Sequence, residues 1–148
     1  NGWPQTGRNK ALEKIKEAGA VHIGGDQHIS TVVQHGISEF RDGPWAFIVP
    51  ASVNDYYGRW WWPEDEQSGP GSNDLLPWTG DYLDGFNNKI TMHAYANPES
   101  KDDGSGYGLI LFDKSNQEVT FQCWPRTTDV TAEEAEQFKG WPVVVSVK

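Results

Sequence analysis

At 148 residues, 36% of them hydrophobic and 13% aromatic, the chain is long and apolar enough to bury one hydrophobic core, which sets it apart from disordered chains. Its formal net charge of −9, with lysines and arginines scattered singly apart from a short run at residues 8–16, excludes nucleic acid as a partner but not a small phosphate ester held through a bound metal. The single cysteine excludes an internal disulfide framework, and no apolar stretch approaches the ~20 residues of a membrane span or reads as a signal peptide.

Thr6 is the expected N-cap of a helix over residues 7–19, with Ala11, Leu12, Ile15 and Ala18 on one face and Gly19 as the stop. Residues 20–24, Ala-Val-His-Ile-Gly, read as a short buried strand, and a polar loop starts at Gly25. The β-branched run Thr31-Val-Val marks a strand within residues 30–40, and residues 45–49 mark another that ends at Pro50. Residues 51–85 have no clear period and read as one long excursion, of a length that is often functional. Strands are expected again at 89–95, 107–112 and 118–124, the last two joined by a hairpin turn at 113–117. Thr131-Ala-Glu-Glu134 has the form of a capping box and predicts a short helix near residues 132–138, ended by Gly140 and Pro142. A last strand is expected at 143–147. No repeat or linker divides residues 1–148, which read as one domain.

The strongest chemical signal is Gly24-Gly-Asp26-Gln-His28, placed just after a predicted strand, where α/β sheets carry their sites. Two glycines permit a tight turn, and a carboxylate and an imidazole two residues apart can converge on one ion such as iron, manganese or zinc. A plain turn with a hydrogen-bonded aspartate has the same local sequence.

The wider order of segments resembles the PhoD-like branch of the calcineurin-type metallophosphoesterases. Helix, strand, Gly-Asp-Gln-His and then Val-Val-Gln-His35-Gly match that family's Gly-Asp-x-His region near the end of its catalytic domain. The segments Gly2-Trp-Pro-Gln-Thr-Gly-Arg-Asn-Lys-Ala11, Trp60-Trp-Trp-Pro63 and Cys123-Trp-Pro-Arg126 are similar to one subgroup. The resemblance implies an α/β fold, the carboxy-terminal half of a two-sheet sandwich, β-dominated, with one amino-terminal helix and a short late helix. It implies metal-dependent hydrolysis of phosphate mono- or diesters, with Asp26 and His28 as metal ligands in a multi-metal cluster that includes iron and calcium in the family. The family's other ligands come from upstream motifs, and no such motif precedes residue 24 here. The expected partner is therefore the remaining amino-terminal half of the same domain, with little activity in these residues alone. The resemblance also implies a periplasmic or secreted location.

The remaining candidates carry weaker chemistry. His22, inside the predicted strand, reads as a packed core residue and His93 as structural, whereas His35 on the next strand is a candidate for the second shell of ligands. Arg59, beside Trp60-Trp-Trp62, could fork onto a phosphate, although a loop packing its indoles over a sheet would look alike. The oxygens of residues 81–88 could serve calcium but lack EF-hand spacing, and turn chemistry accounts for them. Cys123 reads as a small buried hydrophobe. The missing Gly-x-Ser-x-Gly, Gly-x-x-x-x-Gly-Lys and Cys-x-x-Cys motifs remove the main signals for a serine hydrolase, a nucleoside-triphosphatase and a zinc ribbon. The alternative is a non-catalytic, tryptophan-rich β module that binds carbohydrate or protein.

Overall fold

The computed structural model describes residues 4–25, 27, 29–52, 74–96 and 105–147. Among them are one helix, α1 (Gln5–Glu17), and the strands β1 (His22–Gly24), β2 (Thr31–His35), β3 (Trp45–Ile48), β4 (Gly80–Leu83), β5 (Lys89–Tyr95), β6 (Gly106–Asp113), β7 (Glu118–Pro125) and β8 (Val143–Ser146). The strands form a five-stranded sheet in the order β1-β3-β2-β5-β4 and a three-stranded sheet in the order β6-β7-β8. Among the described residues the fold is β-dominated, with two sheets and one helix. No helix among the described residues is long and apolar enough to cross a membrane.

α1 begins two residues earlier than its sequence suggests. Pro4 occupies the N-cap without a side-chain bond, and its carbonyl accepts from Arg8 N at 2.9 Å. The far end is closed as expected: Gly19 turns at φ 60°, its N–H bonds to Lys16 O, and Ala20 N bonds to Ile15 O. That double closure satisfies the last helical carbonyls, and Lys14 and Lys16 in the last turn face the negative end of the helix dipole. Only Leu12 of α1 is buried; the helix is otherwise tied down by polar contacts. Arg8 donates to Gly36 O, Asn9 to Ile37 O and Lys16 to Asp42 O, all in the connection that follows β2.

The two sheets meet through side chains of alternating residues, as the period of a strand requires. Val32, Phe47 and Ala94 of the larger sheet are fully buried, as are Val119, Phe121 and Cys123 of β7. Phe47 sits at the centre, with ring centroids 5.2 Å from Phe121 and 5.5 Å from Trp141. Gly108 on β6 is required here, because a Cβ there would stand 2.8 Å from the Phe47 ring.

Three expectations need correction. The strand before the Gly-Asp-Gln-His motif is not buried: β1 pairs in parallel with β3 and with nothing else described, so it is a sheet edge and Ile23 is 49% exposed. Residues 51–85 are not all loop, since Gly80–Leu83 forms β4, antiparallel to β5. The short late helix near residues 132–138 does not form. The Thr131 N–H, which a capping box would give to the Glu134 side chain, goes to Asp129 Oδ1 instead, as does the Thr131 hydroxyl proton. Cys123 then binds the segment from both sides, its N–H donating to Gln137 Oε1 and its carbonyl accepting from Phe138 N. Phe138 and Trp141 are buried in the core, and their packing overrides the local helical preference.

Candidate functional site

β1 and β3 run parallel, so their carboxyl ends lie on one side of the sheet, and β2 starts there running the other way. β1 and β2 flank β3 without touching each other. The connection of residues 25–30, termed the arch here, therefore begins and ends at the carboxyl end of β3; Asp26 and His28 within it lie outside the described residues.

Both roots of the arch are fixed. At the first, the Gly24 carbonyl accepts from Val49 N at 2.9 Å. A Cβ at Gly24 would stand 2.9 Å from Ile48 Cδ1, a close approach that the tip of the Ile48 side chain would have to move to relieve. At the second, the Ser30 hydroxyl donates to Ile48 O at 2.7 Å and the Ser30 carbonyl accepts from Ala96 N at 2.9 Å. Ser30 is fully buried and Ile29 nearly so, whereas Gly25 and Gln27 are exposed. Burial pushes the Cys123 thiol of the second sheet up to about 12, and the nearby Ser30 hydroxyl works the other way.

Asp26, His28, Arg59 and Trp60-Trp-Trp62 lie outside the described residues. The other histidines stand elsewhere. His22 is exposed at the start of β1, contrary to its reading as a core residue, because β1 is an edge. Its ring lies 6.5 Å from that of His35. His35 ends β2, four residues beyond Thr31, at the end remote from the arch. Arg8 Nη2 stands 3.3 Å from His35 Nδ1; a guanidinium can only donate, so Nδ1 accepts and the ring proton belongs on Nε2. Burial first, and then the Arg8 charge, push His35 down to about 4. His93 is the extra residue of a bulge, since Val32 faces Ala94 and Val33 faces Met92. Its ring is 4.5 Å from Trp45, its Nε2 is buried with no hydrogen-bond partner, and burial followed by the Arg41 charge pushes it down to about 4.

The acids of residues 81–88 serve the structure. Asp81 holds Arg41 in an ion pair and accepts from Thr91 at 2.6 Å. Asp84 accepts from Phe86 N, Asn88 N and Asn88 Nδ2, closing the β4–β5 turn. Burial works against its charge, but those bonds outweigh it and hold the carboxyl below its usual range. Among the described residues, no group of three or more histidine, cysteine, aspartate and glutamate side chains could hold a metal ion. Ser30, which sequence reasoning passed over, is the residue on which three strands converge; a small hydroxyl directly after the motif is its only sequence signal. No family model, no curated protein and no solved structure matches the chain.

Proposed function

We propose that the chain supplies part of the metal site of a phosphate mono- or diesterase, in the manner of the carboxy-terminal half of a PhoD-like metallophosphoesterase. The observation that supports this reading most is where the motif's flanks stand: Gly24 and Ser30, on either side of Gly-Asp-Gln-His, are both held by hydrogen bonds at the carboxyl end of β3, where open α/β sheets bind ligands. Asp26 and His28 would hold the metal, a carboxylate and an imidazole suited to iron, manganese or zinc. Such a metal, when bound, polarises a phosphoryl oxygen and lowers the pKa of a bound water. The chain's own task would be to keep that ligand pair in place; around it, Gly25 and Gln27 are exposed and Ile29 and Ser30 are buried. The remaining ligands and the rest of the catalytic centre would come from the amino-terminal half of the domain. The alternative of a carbohydrate- or protein-binding module rests on Trp60-Trp-Trp62, which lie outside the described residues.

Hydrolysis of p-nitrophenyl phosphate and bis-p-nitrophenyl phosphate by the intact protein tests the proposal. His28→Ala should lower kcat by roughly 10²–10³-fold or more, the cost of losing one strong electrostatic contact to the transition state. Undiminished turnover in that variant would end the metal-site reading.

A further inference from the structure

The far end of β6 is an open sheet edge. Gly106 N–H bonds to Ala51 O, on the side of β6 away from β7. Backbone groups of a strand alternate sides, so the N–H and C=O of Gly108, Ile110 and Phe112 also point away from β7. β6 ends its sheet, and nothing among the described residues bonds these groups. Around them Leu109, Leu111 and Phe112 are 40%, 50% and 63% exposed. Sheet edges are commonly protected by a charge, a proline or a bulge; residues 106–112 carry neither charge nor proline, and their register with β7 is unbroken. We propose that a second copy of this chain adds its own β6 here, antiparallel and about a two-fold axis, doubling the three-stranded sheet. Nothing in this contact depends on the phosphoesterase reading.

The register follows from what already stands beside the strand. With Ile110 on the axis, residue 114 of the second copy would fall beside Gly106, where Ala51 lies. With Phe112 on the axis, Ile110 would face residue 114, which is already in the turn. With Leu111 on the axis, Ile110 and the second copy's Phe112 exchange N–H···O=C bonds, and so do Phe112 and the second copy's Ile110. On the outer face Leu111 then meets Leu111, and Leu109 meets Asp113. A chain of net charge −9 can approach its own copy closely only where no acid meets an acid, and this register sets none opposite another.

Sedimentation equilibrium of the chain, from low to high micromolar concentration, should show a reversible monomer–dimer equilibrium, weak because one strand pair is a small interface. Leu111→Lys and Leu111→Glu each set like charges face to face on the axis and should leave a monomer. Mixed one to one, the two variants should form a dimer again, which also shows that both are folded. Leu109→Lys, two residues away on the same face, should keep the dimer or tighten it, since the new ammonium would face Asp113. Phe112→Pro removes an N–H donated across the axis but none donated to β7, so it should abolish the dimer with little change in the monomer's melting temperature. A wild type that stays monomeric throughout would overturn the pairing. Equal loss in Leu109→Lys and Leu111→Lys would mark a non-specific apolar patch instead. Slow hydrogen exchange at the Ile110 and Phe112 amides in a monomer would mean that another segment already pairs there. Either result overturns the pairing as well.

Discussion

Two half-buried histidines give the chain a pH response that is separable from that of its acids. His35 and His93 are pushed down to about 4, in each case by burial first and by a neighbouring guanidinium second. Between the ordinary histidine value near 6.5 and about 4, the unfolded chain binds protons that the folded chain refuses, so stability falls as pH falls through that window. Above it the contribution is fully present. Each histidine can add a slope of up to about 1.4 kcal/mol per pH unit. Asp42 and Asp84 act lower: for both, burial opposes the charge, but backbone N–H bonds at Asp42 and the Asn88 side chain with backbone N–H bonds at Asp84 outweigh it, and the carboxyls are held below their usual range. Urea midpoints at pH 7 and pH 5 should therefore drop for the wild type, and the drop should shrink in His35→Gln/His93→Gln. Equal midpoints at the two pH values in the wild type would contradict the neutral state of these rings.

At the scale of elements, the weld between the sheets is the contact of β3 with β6 and β7. Phe47 has no exposed surface and no room on its β6 side, where a Gly108 Cβ would stand 2.8 Å from two ring carbons. Gly108→Ala is thus expected to destabilise the fold by about 1–3 kcal/mol through overpacking. Phe47→Leu in the same chain should recover part of that loss, because the two positions share one space. Denaturant unfolding of the single and double variants measures the coupling, and strict additivity would argue that the two residues do not compete. The turns between elements are held more locally. Asp42 receives the N–H groups of Ser38 and Glu39 at 2.9 Å each, and Asp113 does the same for the β6–β7 turn at Ser115 and Asn116.

Over the whole molecule, the two faces of the smaller sheet differ. Val119, Phe121, Cys123 and Val145 are buried against the larger sheet. On the other face, Leu111 stands opposite Thr120 and Thr120 opposite Val144; Leu109, Leu111 and Val144 are all exposed. An apolar stripe on an otherwise acidic surface should bind a hydrophobic dye such as anilinonaphthalene sulfonate. Leu109→Lys with Leu111→Lys should remove most of that binding and move stability by no more than about 0.5 kcal/mol per site, as exposed substitutions do. A large loss of stability would mean that these leucines are packed rather than exposed.

What the sequence determined by itself was local. The stop of α1 at Gly19 follows from a glycine that can adopt φ 60°, and the β6–β7 hairpin from Asp113-Lys-Ser-Asn-Gln117 between two β-rich runs. Most strands were visible for the same reason: side chains of the right kind recur every second residue. The Gly-Asp-Gln-His motif was legible as a loop after a strand, but not what surrounds it. Tertiary structure decided that β1 is an exposed edge, because burial depends on which strands lie alongside. It decided against a helix after Thr131, because Asp129 takes the cap and Cys123, Phe138 and Trp141 hold the segment against β7. It also brought Ser30 together with Ile48, Ala96 and Cys123, residues 18, 66 and 93 positions further along the chain, and no local pattern encodes a contact at such separations.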